Sequence, residues 1–578
     1  MLELSFRGLR ETFNLSMTAQ PSNDSIVSFA QHLGWAILIV ATLYICYFSH
    51  LGVIGFVGPD EPRYAWIARD MAESGDWVTP RLYGKPWFEK PPLLYWGGAI
   101  FFKLFPSQPE VAARLTSAIC ALLATLALAW LAWRTYGEEC ARWLLLLLPT
   151  SVGMIGFSHA AATDMPFAGM LTLAMVCAAV VLGLVHPQND DDAPILPRTP
   201  WLALLLFGFF LGLAVLAKGP AAIILTAGAV FFWAIFTKRW RDAFGLLQPA
   251  AIAAFCITAL PWYILCARRN TDFFRIFIIE HNFKRYLTSE FQHMQPWWYY
   301  LPIVALGFVP WLLFLYPPFE GLFRIRQMPA EKFPTLIFLA TWALFPLLFF
   351  TISNSKLPGY ILPVFPPIGL LIAACFKTPR SSNLRWVVML SAMVSLILVE
   401  RLTHAVRQLE PTCGDFGFPL RVATWCLILG AVGSIVLAAL RQTPSAFLVL
   451  QISFLSCIVI GLSGPGGKSV DRLVSTRFAA QRYEQLRAAI PSQNVEKVAA
   501  STYHLRRAQA YSLNFYLHRE LPEWDRDVNK DALIFLSPRE LDKTVWGLQC
   551  PKESPLPIVA LCQWTASLNR LSGGGHSQ

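Results

Sequence analysis

Residues Gly58–Met71, GPDEPRYAWIARDM, follow directly on the first long apolar run of the chain. Three carboxylates, two prolines and two arginines crowd into this stretch, more charge than a stop signal or a helix cap requires. From Pro62 onward, Tyr64, Ile67, Ala68 and Met71 recur at i, i+3, i+4 and i+7. That spacing predicts a helix with one apolar face, lying on a membrane surface rather than crossing the bilayer. Asp60 suits the N-cap of such a helix and Pro62 its first turn. The side on which this helix lies decides between a bundle with simply capped loops and a bundle with a built outer face.

Of the 578 residues, 55% are hydrophobic and only 14% charged, with 21 Trp and 42 Phe. Soluble domains carry about a quarter charged residues, and abundant rings suit bilayer interfaces. The composition is that of a polytopic α-helical membrane protein. A net charge of +11 fits positive cytoplasmic loops and contact with anionic phospholipid. No basic domain with interleaved aromatics appears, so nucleic acid is not an expected partner. Candidate spans of about 20 apolar residues lie near 34–56, 114–133, 139–157, 166–186, 200–217, 219–236, 246–266, 298–316, 333–352, 358–376, 384–400, 419–440 and 444–463. They number about thirteen.

Alternate short loops carry Arg134 and Arg142; Arg198; Lys238, Arg239 and Arg241; Arg324, Arg326 and Lys332; Lys377, Arg380 and Arg385; and Arg441. Positive-inside reasoning puts these loops in the cytoplasm. The layout is then a cytoplasmic N-terminal segment 1–33, with the first span retained rather than cleaved as a signal. A transmembrane domain over 34–466 follows, with long outer loops 57–113 and 267–297, and then a separate outer part over 467–578. In that last part VEKVAAST, ALIFLS and PIVALCQW read as strands and YSLNFYLHREL as a helix, hence a small α/β domain. The twelve cysteines form no C-x-x-C pair, and most read as small apolar residues within spans. Cys550 and Cys562 would pair if the tail is extracytoplasmic.

The charged clusters all fall on the outer side. The first is Asp60, Glu61, Arg63 and Tyr64. The second, KPWFEKPPLLYW, sets Glu89 and Lys90 among rings before two prolines, where the backbone is pushed toward extended geometry; the two heads then point to different ligands. The third, HAAATDMPF, places His159 and Asp164 in a short turn between spans, where charge is costly. His159 reads as structural and Asp164 as an acid or an N-cap. In the fourth, IIEHNFKRYL, His281 and Arg285 share one helix face at i, i+4, a pairing that suits a metal beside a phosphate. Lys218, Lys356 and Tyr360 lie in very short outer turns, where snorkelling is the plain alternative. Carboxylates, a histidine, several cations and aromatic walls on one side fit a phosphorylated lipid substrate.

DEPRYAWIARDM, GDWVTPRLYGKPWFEKPPLLYW, ATDMPF, EHNFKRY and SKLPGYILPVFPP together resemble the GT-C glycosyltransferases of the protein O-mannosyltransferase-like superfamily, and within it the bacterial lipid A 4-amino-4-deoxy-L-arabinose transferases. The resemblance runs over nearly the whole chain. It implies an enzyme of the bacterial inner membrane, with site and C-terminal domain facing the periplasm. It would move aminoarabinose from undecaprenyl phosphate to lipid A and confer resistance to polymyxin and cationic peptides. It implies Asp60 and Asp164 as functional acids, and Glu89 and His281 as ligands of a divalent metal, zinc in the family pattern. Lys90 and Arg285 would hold the carrier phosphate, with Arg63, Tyr64, Tyr83, Lys218 and Tyr360 lining the cavity. A monomer is expected. The alternatives are a relative moving another polyprenyl-linked sugar, such as mannose, to protein or another envelope glycan, and a lipid transporter. A transporter would place its charges at mid-membrane in broken helices, often with inverted repeats.

Overall fold

The computed structural model describes residues 23–185, 201–284, 294–316, 332–376, 381–413, 417–489, 499–524, 532–537, 548–549 and 559–564. Helical backbone covers most of each expected span among the described residues, and gives way at 48–56, 148–151 and 308–311. The first helix, α1, runs Asn23–Tyr47, ending well before the expected residue 56. It stops because the next stretch of backbone is spoken for. The carbonyls of Leu51, Ile54 and Gly55 accept from Arg114, and those of Gly52 and Val53 accept from Arg477. Non-helical backbone beside a membrane needs such partners. Gly55 is confined further, since a Cβ there would lie 2.6 Å from the Tyr516 hydroxyl oxygen.

Past this stretch come α2 (Asp60–Ser74), the two-stranded hairpin β1 (Arg81–Leu82) and β2 (Lys85–Pro86), and α3 (Leu93–Leu104). The bundle continues with α4 (Pro109–Tyr136), α5 (Glu138–Leu147), α6 (Val152–Ser158), α7 (Asp164–Val181), α8 (Trp201–Lys218), α9 (Ala221–Thr237) and α10 (Pro249–Arg269). A π-helix, Arg275–Lys284, follows. Next come α11 (Tyr300–Gly307), α12 (Phe333–Ile352), a 3-10 turn Pro358–Val364, α13 (Phe365–Cys375), α14 (Ser381–Cys413), α15 (Gly417–Ala439) and α16 (Thr443–Gly461). Among the described residues nine helices are long and apolar enough to cross a membrane, ten if α5 and α6, bent by 65° at their junction, form one broken span. The run expected at 298–316 is likewise interrupted, its helix giving way after Gly307 to a 3-10 turn over Leu312–Leu315. Pro310, which has no N–H to donate, lies in the gap.

Helix α2 forms as its spacing predicts, but its apolar face meets protein rather than lipid. Tyr64, Ile67 and Met71 are buried with Leu82 of the hairpin and Leu94, Tyr95 and Ala99 of α3. Ala68 joins a second cluster with Phe56, Ala112 and Phe515. The C-terminal part begins with α17 (Pro465–Val474) and α18 (Arg477–Ala489) and builds a sheet in the order β3-β4-β6-β5. Strand β3 (Ala499–Tyr503) pairs parallel with β4 (Ala532–Leu536), which pairs antiparallel with β6 (Ala560–Trp564), itself antiparallel to β5 (Leu548–Gln549). Between β3 and β4 lies α19, Arg507–Tyr516. Buried Cys562 is disulfide-bonded; Cys550 lies outside the described residues.

Candidate active site

The first turn of α2 sends its two acids in opposite directions. Glu61 turns inward, where Arg114 of α4 grips it with Nε to Oε1 at 2.9 Å and Nη2 to Oε2 at 2.8 Å. The same carboxylate accepts the backbone N–H groups of Val57 and Ala161, each at 2.8 Å. Asp60 faces out and is 48% exposed. It is not the cap its position suggests: Pro59 is the N-cap residue and no side chain caps the helix. Its carboxylate instead accepts from Arg63 Nη2. Arg63, only 5% exposed, also donates through Nη1 to Glu89 Oε2 at 2.8 Å. The rings of Tyr64, Trp87 and Tyr511 stand 5.4, 5.4 and 5.7 Å from its guanidinium carbon.

Burial opposes the Arg63 charge, yet Glu89, then Tyr64 and Asp60, outweigh it, and the guanidinium is held more firmly charged than an ordinary arginine. The Tyr64 phenol is driven the other way by burial and by Glu89 and Asp60; its pKa lies well above the usual phenol value and it stays neutral. Three buried donors here, Arg63 Nε, Trp87 Nε1 and Tyr95 Oη, have no hydrogen-bond partner among the described residues. Buried polar groups are normally satisfied, so three such donors around one exposed carboxylate mark a place for a polar ligand.

A second acid stands nearby. Asp164 is the first residue of α7, again with no side-chain cap at its preceding N-cap, Thr163. It pairs with Lys218 Nζ at the end of α8, the two side chains 19% and 9% exposed. Lys218 therefore does not snorkel. Its ammonium sits 4.4 Å from the Tyr360 ring centroid and 5.5 Å from that of Phe167. Gly359 is small for a reason, since a Cβ there would run into the Asp164 carboxylate. Lys356 is spent locally, donating to the Ser353 carbonyl at 2.7 Å. Two connections join the acids in one frame. Glu61, next to Asp60, holds the Ala161 backbone three residues before Asp164. Phe88, next to Glu89, is buried with Leu216, two residues before Lys218.

Of the remaining expected residues, Tyr83 lies on the flank. It occupies the hairpin turn with Gly84, at φ 53° and 77°, the left-handed pair that a two-residue turn demands. Its hydroxyl accepts from Asn514 Nδ2 at 3.1 Å, and burial pushes its pKa up to about 12. Lys90 is half-buried beside Glu89. The His281 backbone belongs to the π-helix, but its side chain lies outside the described residues, as does all of Arg285. Phe88 packs against Phe273 at 5.4 Å between ring centroids and shares a buried cluster with Phe277, so the Glu89 loop docks on the segment that bears His281. Sequence reasoning missed Trp87 and Tyr95 as parts of the site, the clamp role of Glu61 and Arg114, and the contribution of Tyr511 and Asn514. The last two lie in a stretch legible as a helix, but nothing in it says which neighbour it meets.

Residues 35–277 match the family described as dolichyl-phosphate-mannose-protein mannosyltransferase. The chain is similar to the undecaprenyl phosphate-alpha-4-amino-4-deoxy-L-arabinose arabinosyl transferase of Edwardsiella ictaluri, 32% identical over 61% of this chain and 60% of that protein. The enzyme of that name from Pseudomonas paraeruginosa is 28% identical over 82% of this chain and 84% of its own length. The match to the Edwardsiella protein spans less than two thirds of that protein's length. ArnT from Cupriavidus metallidurans, in a crystal structure bound to undecaprenyl phosphate, superposes with a TM-score of 0.71 at 23% identity. The match covers 93% of this chain and 99% of that one. The chain therefore shares the fold of ArnT over nearly its whole length, and over residues 35–277 it resembles the mannosyltransferase family.

Proposed function

We propose that this protein is a glycosyltransferase that moves 4-amino-4-deoxy-L-arabinose from undecaprenyl phosphate to a phosphate of lipid A, on the periplasmic face of a bacterial inner membrane. The observation that carries the reading is the half-exposed Asp60 carboxylate, fixed by buried Arg63 and ringed by the unsatisfied donors of Arg63, Trp87 and Tyr95. The similar arabinosyl transferases support the donor, and the Cys562 disulfide supports an oxidising compartment for the tail.

In the transfer, an oxygen of the acceptor phosphate forms a bond to the anomeric carbon while the anomeric C–O bond to the carrier phosphate breaks, releasing undecaprenyl phosphate. The acceptor phosphate is already an anion at neutral pH, so no general base is needed. Asp60 instead faces the positive charge that grows on the sugar and the sugar's own ammonium group, an electrostatic role. Lys90 and Arg285 take the charge that gathers on the leaving phosphate. Asp164, held by Lys218 against Tyr360, shapes the far wall. Glu89 and His281 would hold a divalent cation. A carboxylate and an imidazole are donors that zinc accepts, and the docking of Phe88 on Phe273 supports their approach. Such a cation would add charge stabilisation at the leaving phosphate. Among the described residues no set of three or more His, Cys, Asp or Glu side chains gathers, and the His281 side chain lies outside them.

Capping lipid A phosphates with an amino sugar lowers the surface's attraction for cationic peptides, hence polymyxin resistance. The mannosyltransferase family match favours a second reading, transfer of another polyprenyl-linked sugar to protein. Purified protein given the aminoarabinose donor and either lipid A or peptide acceptors separates the two. Transfer to lipid A is expected, with a loss of at least about 100-fold in Asp60→Asn, the scale for removing an electrostatic group of the transition state. Full activity of Asp60→Asn would remove the residue from the mechanism. Metal analysis of wild type against His281→Ala should show stoichiometric zinc lost in the variant; equal metal in both overturns the Glu89–His281 pair.

A further inference from the structure

Helix α19 belongs to the C-terminal part, yet it is built into the site. Arg69 of α2 donates to the Phe515 carbonyl at 3.1 Å, and Asn514 donates to Tyr83 at 3.1 Å. The Tyr516 hydroxyl accepts from the Phe56 N–H at 3.0 Å and donates to Glu110 Oε1 at 2.7 Å. A helix held by four hydrogen bonds at three of its groups presents its remaining face in a fixed place. That face carries Tyr511 and, one turn earlier, Arg507.

The Tyr511 ring lies between two guanidiniums. Arg63, which holds Asp60 and Glu89, is 5.7 Å from its centroid, and Arg507 is 5.2 Å away. The two arginines differ in every other respect. Arg63 is buried and engages two carboxylates. Arg507 is exposed, has no carboxylate partner among the described residues, and gives Nε to the neutral Tyr511 hydroxyl at 2.9 Å. That bond and the ring hold the guanidinium at an exposed position. Arg506, also exposed, adds a second cation at the same helix start, with no salt bridge among the described residues. A planar, pre-oriented fork with no carboxylate on it among the described residues matches the paired oxygens of a phosphate.

We propose that Arg507, seated on Tyr511, is the anion-binding element of the acceptor site and captures a phosphate monoester on the headgroup of the incoming lipid, one ring away from the pair Arg63–Asp60. This rests on the reading of the acceptor as a phosphorylated lipid. It gives the C-terminal domain a part in choosing the acceptor, separate from the loops that hold the carrier.

The test uses the full chain in nanodiscs. Initial transfer rates against lipid A concentration are compared for wild type, Arg507→Ala and Arg507→Lys, alongside binding of undecaprenyl phosphate. Binding of intact and of dephosphorylated lipid A is followed by native mass spectrometry, with inorganic phosphate as a competitor. Arg507→Ala should raise the acceptor KM about tenfold with little change in kcat. Arg507→Lys should recover part of the loss, since charge remains and the fork does not. Dephosphorylated lipid A should bind wild type and Arg507→Ala alike, and undecaprenyl phosphate should bind both equally. Weak competition by free phosphate at millimolar levels would agree with a headgroup site; equal potency of free phosphate and lipid would overturn the lipid as its source. An unchanged KM, or undecaprenyl phosphate binding that falls in step with it, overturns the proposal. If wild type binds intact lipid A through Arg507 but transfers nothing to it, the transferase reading fails and the anion site stands.

Discussion

Asp60 and Glu61 are adjacent in sequence and serve different ends. One is half in solvent, the other 9% exposed and bound by four donor groups. Their chemistry is identical; position on the helix and the reach of Arg114 separate them. The cluster was legible as a whole, because charge beside a span demands explanation. The division of labour was not, because Arg114 lies 53 residues downstream of Glu61. The same holds for Asp164, which offered a capping role by position but spends its carboxylate on Lys218. A double-mutant cycle with Asp164→Asn and Lys218→Met should show coupling of about 0.5–3 kcal/mol in unfolding free energy, the double mutant being milder than the sum. Strict additivity would mean the pair is incidental. Gly359→Ala should reduce transfer nearly as far as Asp164→Asn, with a loss of thermal stability no larger than that of Asp164→Asn. Its methyl displaces the carboxylate from Lys218, and a Cβ is otherwise tolerable in that turn.

At the scale of elements, α2 illustrates what periodicity gives and withholds. The stripe of Tyr64, Ile67, Ala68 and Met71 is real and fully buried. Spacing alone assigned it to lipid, because an isolated amphipathic helix beside a span has no other visible partner. The covering elements are α3, the hairpin and α19, none adjacent to it in the way a local rule could read. Three of the four described strands of the tail fall on the stretches VEKVAAST, ALIFLS and PIVALCQW; β5 and the parallel-then-antiparallel order were not legible, since pairing is non-local. The clamp of Glu61 and Arg114 ties α1's end, α2, α4 and the turn before α7 together. Glu61→Gln leaves a buried guanidinium without its counter-charge and should cost about 3–5 kcal/mol. Thermal unfolding in detergent measures it, and a drop of under about 1 kcal/mol would reduce the clamp to a surface-like pair. Activity should fall with it, through both acids at once.

Across the whole molecule, the tail is fastened to the loop that follows α1. Arg477 donates to Asp471, Glu110 and the carbonyls of Gly52 and Val53. Asp471 accepts the Gly55 N–H at 2.7 Å. Truncation before Pro465 should therefore abolish transfer, since it removes both the Arg477 fastening and the α19 residues that reach the site. Arg477→Met should do so in part, with a lowered melting temperature. Full activity of either variant would make the tail an appendage. This arrangement also bears on how the protein comes into being. Arg477 follows Gly52 by 425 residues, so the first loop emerges from the ribosome long before its fastener. Domains commonly set in order of synthesis; here the earliest outer segment must wait for one of the last. A nascent chain released before Arg477 leaves Asp60 on an unfastened helix, and the Asp60 site is assembled only after Arg477 has been made.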